Sequence, residues 1–214
     1  MSSVCNYKRQ KTFYICSNKL NKKMKRIAVY CGSSSGSNDI FKIKAETLGK
    51  ALAKNNVELV YGGAKVGLMG AVADGALNNG GKAIGVLPHF LAEKELEHKS
   101  LTEIHLVDTM HERKFKMADL SDGFIALPGG FGTMEELFEV LTWAQLSLHK
   151  KPVALLNVNG YYDALLEFIK VMSRDGFLKE EYLDLLIVSN DIDDLLLQMK
   201  TYVPLKNEKW FVSK

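Results

Sequence analysis

The alternation of short apolar runs with longer amphipathic segments constrains the fold of this chain more than any other feature. From residue 26 onward, runs rich in β-branched residues alternate with segments whose apolar residues have helical spacing. This alternation is typical of βαβ units, which build a parallel sheet with helices on both faces. We predict strands at 26–31, 57–61, 83–87, 104–107, 122–127, 152–156 and 186–189, and helices at about 38–55, 68–79, 110–120, 133–148, 161–174 and 191–200. The predicted fold class is a single α/β domain with a doubly wound parallel sheet.

The length of 214 residues suits one domain with one sheet. We expect a catalytic domain at 25–201, a basic extension at 1–24 and a tail at 202–214. The first 26 residues carry eight Lys or Arg and no acid, whereas the net charge of the whole chain is only +3. We expect this basic terminus to be solvated and poorly ordered, and contact with nucleic acid or an anionic surface is the alternative. Met24 is a candidate native start.

Several classes of protein are not expected from the composition. No segment approaches the roughly 18 to 20 apolar residues that span a bilayer, and residues 13–16 are too short for a secretory signal. The three cysteines lack metal-ligand spacing, so we expect reduced thiols in the cytoplasm. The five histidines form no HxH or HExxH pair, so we expect neither a metal site nor a cofactor.

Small residues follow three of the predicted strands. CGSSSGSN follows the first strand, YGGAKVGLMG the second, and LPGGFGT the one that ends near residue 127. In doubly wound sheets the carboxyl ends of the strands share one edge, and ligands bind there. The second loop matches neither GxGxxG nor a Walker loop, and each of the first two alone is compatible with an ordinary turn. The three loops together predict one ligand site.

The stretch PGGFGTMEE carries the strongest signal. Gly129, Gly130 and Gly132 can present backbone N–H groups to an anion, and a helix that starts near Thr133 adds partial positive charge. The competing interpretation is a capping box, in which Thr133 is the N-cap and Glu136 bonds the backbone of that cap. Spacing alone leaves both interpretations open.

The stretch MHERKFKM favours the anion site. Arg113 and Lys114 fall near the start of a predicted helix, where the helix dipole disfavours cations unless an anion lies close by. A carboxylate about 4 Å from a phosphate would cost on the order of 4 kcal/mol at an effective dielectric of 20. Glu136 is therefore expected to face the sugar of a nucleotide, where it can accept hydroxyl hydrogen bonds, steady charge at the anomeric carbon or orient a water.

Five stretches occur in the order CGSSSG, YGGAKVGLMG, GGKAIGVLP, MHERKFKM and PGGFGTMEE. Together they resemble the LOG ("lonely guy") family of cytokinin riboside 5′-monophosphate phosphoribohydrolases, once labelled lysine decarboxylases. The resemblance covers about residues 25 to 200 and implies a Rossmann-like fold. It also implies hydrolysis of a nucleoside 5′-monophosphate to free base and ribose 5-phosphate, usually by a homodimer. A non-hydrolytic carrier of a nucleotide or of the molybdenum cofactor is the alternative.

The resemblance also assigns roles to individual residues. Arg113 and Glu136 would be the catalytic pair, and no residue is assigned to protonation of the leaving base. The residues that would bind or line the nucleotide are Ser33, Gly62, Glu95, Lys114, Gly129, Gly130, Gly132, Thr133, Glu135 and Thr142. The predicted helix at 133–148 is apolar on more than one side, which is typical of a helix covered by a partner and so supports a homodimer. Its predicted core stripe is Leu137, Val140, Leu141, Ala144 and Leu148, and the apolar residues on its other faces are Phe138, Trp143 and Leu146. No membrane or nucleic-acid partner is expected.

Overall fold

A computed structural model describes residues 24–93 and 97–205. Its seven strands form one parallel sheet in the order β4-β3-β2-β1-β5-β6-β7. Such sheets need a crossover segment between successive strands, and helices supply most of these crossovers here. The strands are β1 (Arg26–Tyr30), β2 (Glu58–Tyr61), β3 (Ala83–Pro88), β4 (Glu103–Val107), β5 (Gly123–Ala126), β6 (Val153–Leu156) and β7 (Leu186–Ser189).

Seven α-helices connect or follow these strands in the described part of the chain. They are α1 (Asp39–Lys54), α2 (Gly67–Leu77), the one-turn α3 (His89–Ala92), α4 (Met110–Leu120), α5 (Phe131–Gln145), α6 (Asp163–Arg174) and α7 (Ile192–Thr201). Two 3₁₀ segments, Val158–Gly160 and Glu180–Leu185, precede α6 and β7. No helix in the described ranges is long and apolar enough to cross a membrane.

The sheet divides the apolar core into two layers. The side chains of β1 alternate between them: Ile27 and Val29 pack with α1, α2 and α7, whereas Ala28 and Tyr30 pack with α4 and α5. Alternate residues of a strand point to opposite faces, so a run that is apolar throughout can bury both faces. The doubly wound α/β fold predicted from the sequence is confirmed.

The strand order reverses at β1, and this reversal places the candidate site. β1 lies between β2 and β5, so the loops after β1 and β5 leave the same edge of the sheet side by side. They are joined where Gly32 N–H donates to the carbonyl of Pro128 at 3.0 Å. Leu68 N–H, at the start of α2, donates to the carbonyl of Gly32 at 3.1 Å. Three of the glycine-containing segments therefore meet at the carboxyl edge.

The predicted strands and helices are all present, with differences at several ends. α5 begins at Phe131, two residues before the predicted start, and ends at Gln145 rather than 148. Leu148 therefore follows the helix and is 69% exposed, so its assignment to the core stripe is wrong. Residues 1–23, Glu95 and residues 206–214 lie outside the described residues, and the proposed division into extension, domain and tail stays a prediction.

Candidate active site

The N-terminus of α5 opens onto a cleft at the carboxyl edge. Its N-cap is Gly130, which offers no side-chain cap to the first-turn N–H groups. A Cβ built on Gly130 or Gly132 would meet no atom within 4 Å. A Cβ on Gly129 would instead collide with Thr133 and come within 2.8 Å of Gly32 N. Gly129 thus allows the two loops to cross, whereas Gly130 and Gly132 leave the helix terminus open to a ligand.

Two tyrosines hold the loop that precedes α5. Tyr162 donates its hydroxyl hydrogen bond to the carbonyl of Leu127 at 2.6 Å, and Tyr161 donates to the carbonyl of Gly129 at 2.7 Å. Both tyrosines come from the segment between β6 and α6, about thirty residues further along the chain. These bonds fix the loop backbone before any ligand binds. No local pattern predicts them, because the contacts are long-range.

Arg113 lies buried on α4 beneath the cleft. Its Nε donates to the carbonyl of Val86, in β3, at 3.1 Å. The guanidinium occupies the space beside Gly62, where a Cβ would collide with its Nη2. Its Nη1 lies 3.5 Å from Oε1 of Glu136 on α5. The loop after β2 therefore contributes to the site by leaving room for a cation.

Glu136 is the acidic partner of Arg113 and is itself 8% exposed. Burial raises the pKa of this carboxyl to about 7, although the nearby Arg113 guanidinium acts in the opposite direction. The group thus exchanges its proton near neutral pH. Carboxyls with this property, placed in a cleft, are suited to acid–base work on a bound substrate.

The capping-box interpretation of Thr133 and Glu136 is wrong. Because α5 begins at Phe131, Thr133 is already its third residue and Glu136 its sixth. The spacing T-x-x-E does cap α4: Thr109 Oγ1 accepts from Glu112 N–H at 3.1 Å, and Glu112 accepts from Asp108 N–H at 3.0 Å. Glu136 is therefore held by Arg113 rather than by the start of its own helix.

Lys114 and Glu135 are paired with each other. Lys114 Nζ lies 2.8 Å from Glu135 Oε1 and 3.1 Å from Glu139 Oε1, with 6% of the Lys114 side chain exposed. Burial lowers the pKa of Lys114, but the hydrogen bonds to the two carboxylates outweigh it and the net shift is upward. The same hydrogen bond lowers the pKa of Glu135. Lys114 is therefore a charged bridge between α4 and α5.

The cleft between these elements has a volume of about 260 Å³. Residues predicted from the sequence that line it are Ser33, Arg113, Lys114, Gly130, Gly132, Thr133, Glu135 and Glu136. Sequence reasoning missed five others, Cys31, Gly32, Met69, Met110 and Phe131. Three of these are large apolar residues inside the quoted motifs, and Phe131 is 96% exposed. A large apolar residue such as Phe131 at the exposed start of a helix could have indicated from the sequence that it lines the cleft.

Three of the predicted binding residues that the structure describes do not line this cleft: Gly62, Gly129 and Thr142. Gly129 lies next to it, at the crossing of the two loops. Thr142 donates its hydroxyl to the carbonyl of Phe138 and lines a separate apolar groove of α5 and α6. It lies nine residues beyond Thr133, or about 13 Å along the helix. Gly62 lies beneath Arg113 rather than in the cleft wall. The predicted nucleotide contact of Thr142 stays a prediction.

Comparison with known proteins places the chain in a family. A family described as "possible lysine decarboxylase" matches residues 69–199. The chain is 47% identical over 182 residues to a probable cytokinin riboside 5′-monophosphate phosphoribohydrolase of Oryza sativa subsp. japonica, covering 85% of this chain and 80% of that protein. It is 45% identical over 190 residues to a cytokinin riboside 5′-monophosphate phosphoribohydrolase of Arabidopsis thaliana, covering 89% of each. This chain belongs to the LOG family.

Solved structures share the fold of this LOG family member. A molybdenum cofactor carrier protein from Chlamydomonas reinhardtii superposes with a TM-score of 0.64 at 24% identity, covering 83% of this chain and 97% of the carrier. A molybdenum cofactor binding protein from Rippkaea orientalis gives 0.65 at 20% identity, covering 84% and 98%. At these identities the likeness shows that the fold is common to both groups of proteins, and function must be argued from the site.

The cleft of this LOG family member does not suit lysine decarboxylation. Pyridoxal phosphate enzymes form a Schiff base with a lysine whose amine must be deprotonated. Lys114 is the lysine among the described residues that line the cleft, and two carboxylates raise its pKa. Among residues 24–93 and 97–205, no three His, Cys, Asp or Glu side chains are placed to hold a metal ion.

Proposed function

We propose that the protein hydrolyses the N-glycosidic bond of a nucleoside 5′-monophosphate and releases the free base and ribose 5-phosphate. The observation that carries this proposal is the buried Arg113–Glu136 pair next to the uncapped N-terminus of α5. One end of the cleft suits an anion, and a carboxyl with a pKa near 7 lies beside it. The relatives at 45% and 47% identity are named for this type of reaction.

The 5′-phosphate is proposed to bind at the start of α5. The first-turn N–H groups and the helix dipole favour an anion there. Gly130 and Gly132 leave the approach open, and Ser33 adds a hydroxyl from the loop after β1. Thr133, the third residue of α5, is buried and lines the same end of the cleft. A nucleotide anchored in this way would hold its sugar further along the cleft, beside Glu136.

Glu136 is proposed to act on the ribose. As the glycosidic C–N bond breaks, positive charge develops at the anomeric carbon, and an adjacent carboxylate stabilises it. The same carboxylate can accept a proton from the water whose oxygen forms the new C–O bond. The base leaves with the electron pair of the broken bond and takes a proton from the solvent, which balances the proton that the attacking water gives to Glu136. Arg113 fixes the position of Glu136 and offsets its charge in the buried site.

A direct assay tests this function against the carrier alternative. The protein is incubated with AMP and, separately, with isopentenyladenosine monophosphate, and free base is measured by chromatography. We expect base release from at least one of them, and the ratio of the two rates reports the preferred base. Binding without release from any nucleotide would overturn the hydrolase and support the carrier, whose fold is shared.

Gly132→Ala separates nucleotide binding from folding. A Cβ at this position meets no protein atom, and alanine in a helix is favoured over glycine by up to about 1 kcal/mol. The melting temperature is therefore expected to stay the same or rise. The added methyl group occupies the proposed phosphate approach, so KM for AMP should rise roughly tenfold or more. An unchanged KM would show that the phosphate does not bind at this end of the cleft.

A homodimer is part of the proposal. An apolar groove of about 480 Å³ lies along α5 and α6 and includes Phe138, Leu141 and Leu166. Grooves of this kind on a surface are commonly covered by a partner. Sedimentation at micromolar concentration is expected to show a dimer that Phe138→Glu dissociates. Ile43→Glu at an exposed apolar position on α1 is the control, and a monomeric wild type would contradict the proposal.

We also propose a cytoplasmic location. This proposal is supported by the free thiol of Cys31, because cysteines stay reduced in the cytoplasm. Cys31 is free and buried at the base of the cleft, and burial raises the pKa of its thiol, which keeps it protonated and unreactive.

A further inference from the structure

We propose that Tyr161 is a positioning residue, whose hydroxyl group orients the Gly129–Gly130 peptide so that the Gly130 N–H group faces the 5′-phosphate. The hydroxyl donates to the carbonyl of Gly129 at 2.7 Å. Tyr161 belongs neither to the predicted site residues nor to the lining of the cleft. The inference rests on the proposed function, because it adds a donor to the proposed phosphate site.

The carbonyl of Gly129 and the N–H group of Gly130 belong to one peptide unit. A trans peptide is planar, so these two groups point in opposite directions and turn together. Gly130 lines the cleft, and its N–H group forms no hydrogen bond with another described residue. A hydrogen bond that holds the Gly129 carbonyl on the side of Tyr161 therefore keeps the Gly130 N–H group on the opposite side, where it can bind an anion.

This peptide unit needs such a constraint because glycine flanks it on both sides. Gly130 has a φ of −91°, and glycine also tolerates positive φ, so sterics alone permit the peptide to turn over. After that rotation the Gly129 carbonyl oxygen, with its partial negative charge, would face the phosphate in place of the N–H group. The rotation breaks the hydrogen bond to Tyr161, so the hydroxyl group favours the orientation that binds an anion.

The neighbouring Tyr162 has a different role in the same loop. Its hydroxyl donates to the carbonyl of Leu127 at 2.6 Å, and its side chain is buried. The residue after Leu127 is Pro128, which has no N–H group, so this hydrogen bond directs no donor toward the cleft. Tyr162 therefore stabilises the loop, whereas Tyr161 also sets the direction of an N–H group.

The ring of Tyr161 is held in place by its neighbours. It contacts the rings of Phe41 and Tyr162 edge to face, with centroids 5.7 and 4.8 Å apart. Tyr161 is nevertheless 46% exposed, so water can reach the Gly129 carbonyl when the hydroxyl is removed. Water hydrates that carbonyl in either orientation of the peptide. It therefore replaces the lost hydrogen bond without restoring the direction of the N–H group.

Tyr161→Phe tests the inference, because it removes the hydroxyl group and keeps the ring. Steady-state kinetics with AMP should show KM raised roughly three- to tenfold, the effect of one weakened hydrogen bond to a charged group. The kcat should stay within about twofold of wild type, since Arg113 and Glu136 keep their contact. The melting temperature should change little, because the lost hydrogen bond is exposed to water.

Two other tyrosines supply the comparison. Tyr162→Phe leaves the Leu127 carbonyl without its buried partner, so the melting temperature should fall by several degrees. Its effect on KM should be smaller than that of Tyr161→Phe. Tyr202→Phe is the matched control, because Tyr202 directly follows α7 and does not line the cleft. It should keep the KM and the kcat of wild type.

An NMR titration with inorganic phosphate gives a readout that needs no turnover. In ¹⁵N-labelled wild type, phosphate should move the amide proton of Gly130 downfield, as a new hydrogen bond to an anion does. In Tyr161→Phe the same titration should require roughly three- to tenfold more phosphate. Tyr202→Phe should titrate as wild type.

A rise of KM in Tyr161→Phe that exceeds the rise in Tyr162→Phe, together with the shift of Gly130, supports the inference. A KM within about twofold of wild type in Tyr161→Phe overturns it. An equal rise in Tyr162→Phe also overturns it, because that result would indicate a general loosening of the loop.

The wild-type titration separates this inference from the proposed function. No shift of Gly130 in wild type overturns the role of Tyr161, and this titration decides alone if Tyr161→Phe does not fold. An inactive wild type whose Gly130 amide responds to phosphate, and responds less readily in Tyr161→Phe, would refute the hydrolase and leave the role of Tyr161 intact.

Discussion

Glu136→Gln is expected to release base from AMP about 10³-fold more slowly than the wild-type protein. The amide keeps the size of the side chain but can neither carry negative charge beside the anomeric carbon nor take a proton from water. Binding of AMP should persist, since the phosphate is proposed to bind at the uncapped start of α5 rather than at this side chain. Base release is followed by chromatography, and AMP binding by calorimetry.

The pH profile adds a second test of the same residue. Burial raises the pKa of Glu136 to about 7, so the carboxylate form is the minority below that pH. The kcat/KM of the wild type should therefore rise with pH toward about 7 and level off above it. Glu136→Gln should lose this rising limb along with the activity. Full base release by Glu136→Gln would show that the catalytic assignment is wrong.

Arg113→Lys is expected to lower kcat/KM roughly 10²-fold although the positive charge is kept. The guanidinium bonds the carbonyl of Val86 with Nε and faces Glu136 with Nη1 at the same time. A single ammonium cannot satisfy both partners in this geometry, so Glu136 loses its fixed position. Steady-state kinetics with AMP measure the loss, and circular dichroism verifies the fold.

Two further variants make this prediction specific. Gly62→Ala leaves Arg113 in the sequence but places a methyl group where its Nη2 lies, so it should also lower kcat/KM. Lys116→Arg on the same helix is the conservative control and should behave as wild type. If Arg113→Lys and Gly62→Ala both kept full activity, the exact place of the guanidinium would not matter, and Arg113 would be a structural residue.

The amino-acid sequence by itself determined the fold and the edge of the sheet at which the glycine-rich loops meet. Alternating apolar runs predicted the strands and helices, because burial of a sheet and of its covering helices demands those periodicities locally. The positions of the glycine-rich loops, each directly after a strand, predicted that they meet at one edge. The proximity of Arg113 to Glu136 was also predicted, through the family resemblance, and the 3.5 Å ion pair is consistent with it.

Only the tertiary structure decided which partner each side chain takes. The spacing T-x-x-E occurs at Thr109 and at Thr133, yet it caps a helix only at the first, because α5 already begins at Phe131. Gly129 and Gly130 are neighbours in sequence, but one is crowded and the other open. The ion-pair partner of Glu136, its burial and its raised pKa depend on residues far apart along the chain. A local sequence pattern does not report such contacts.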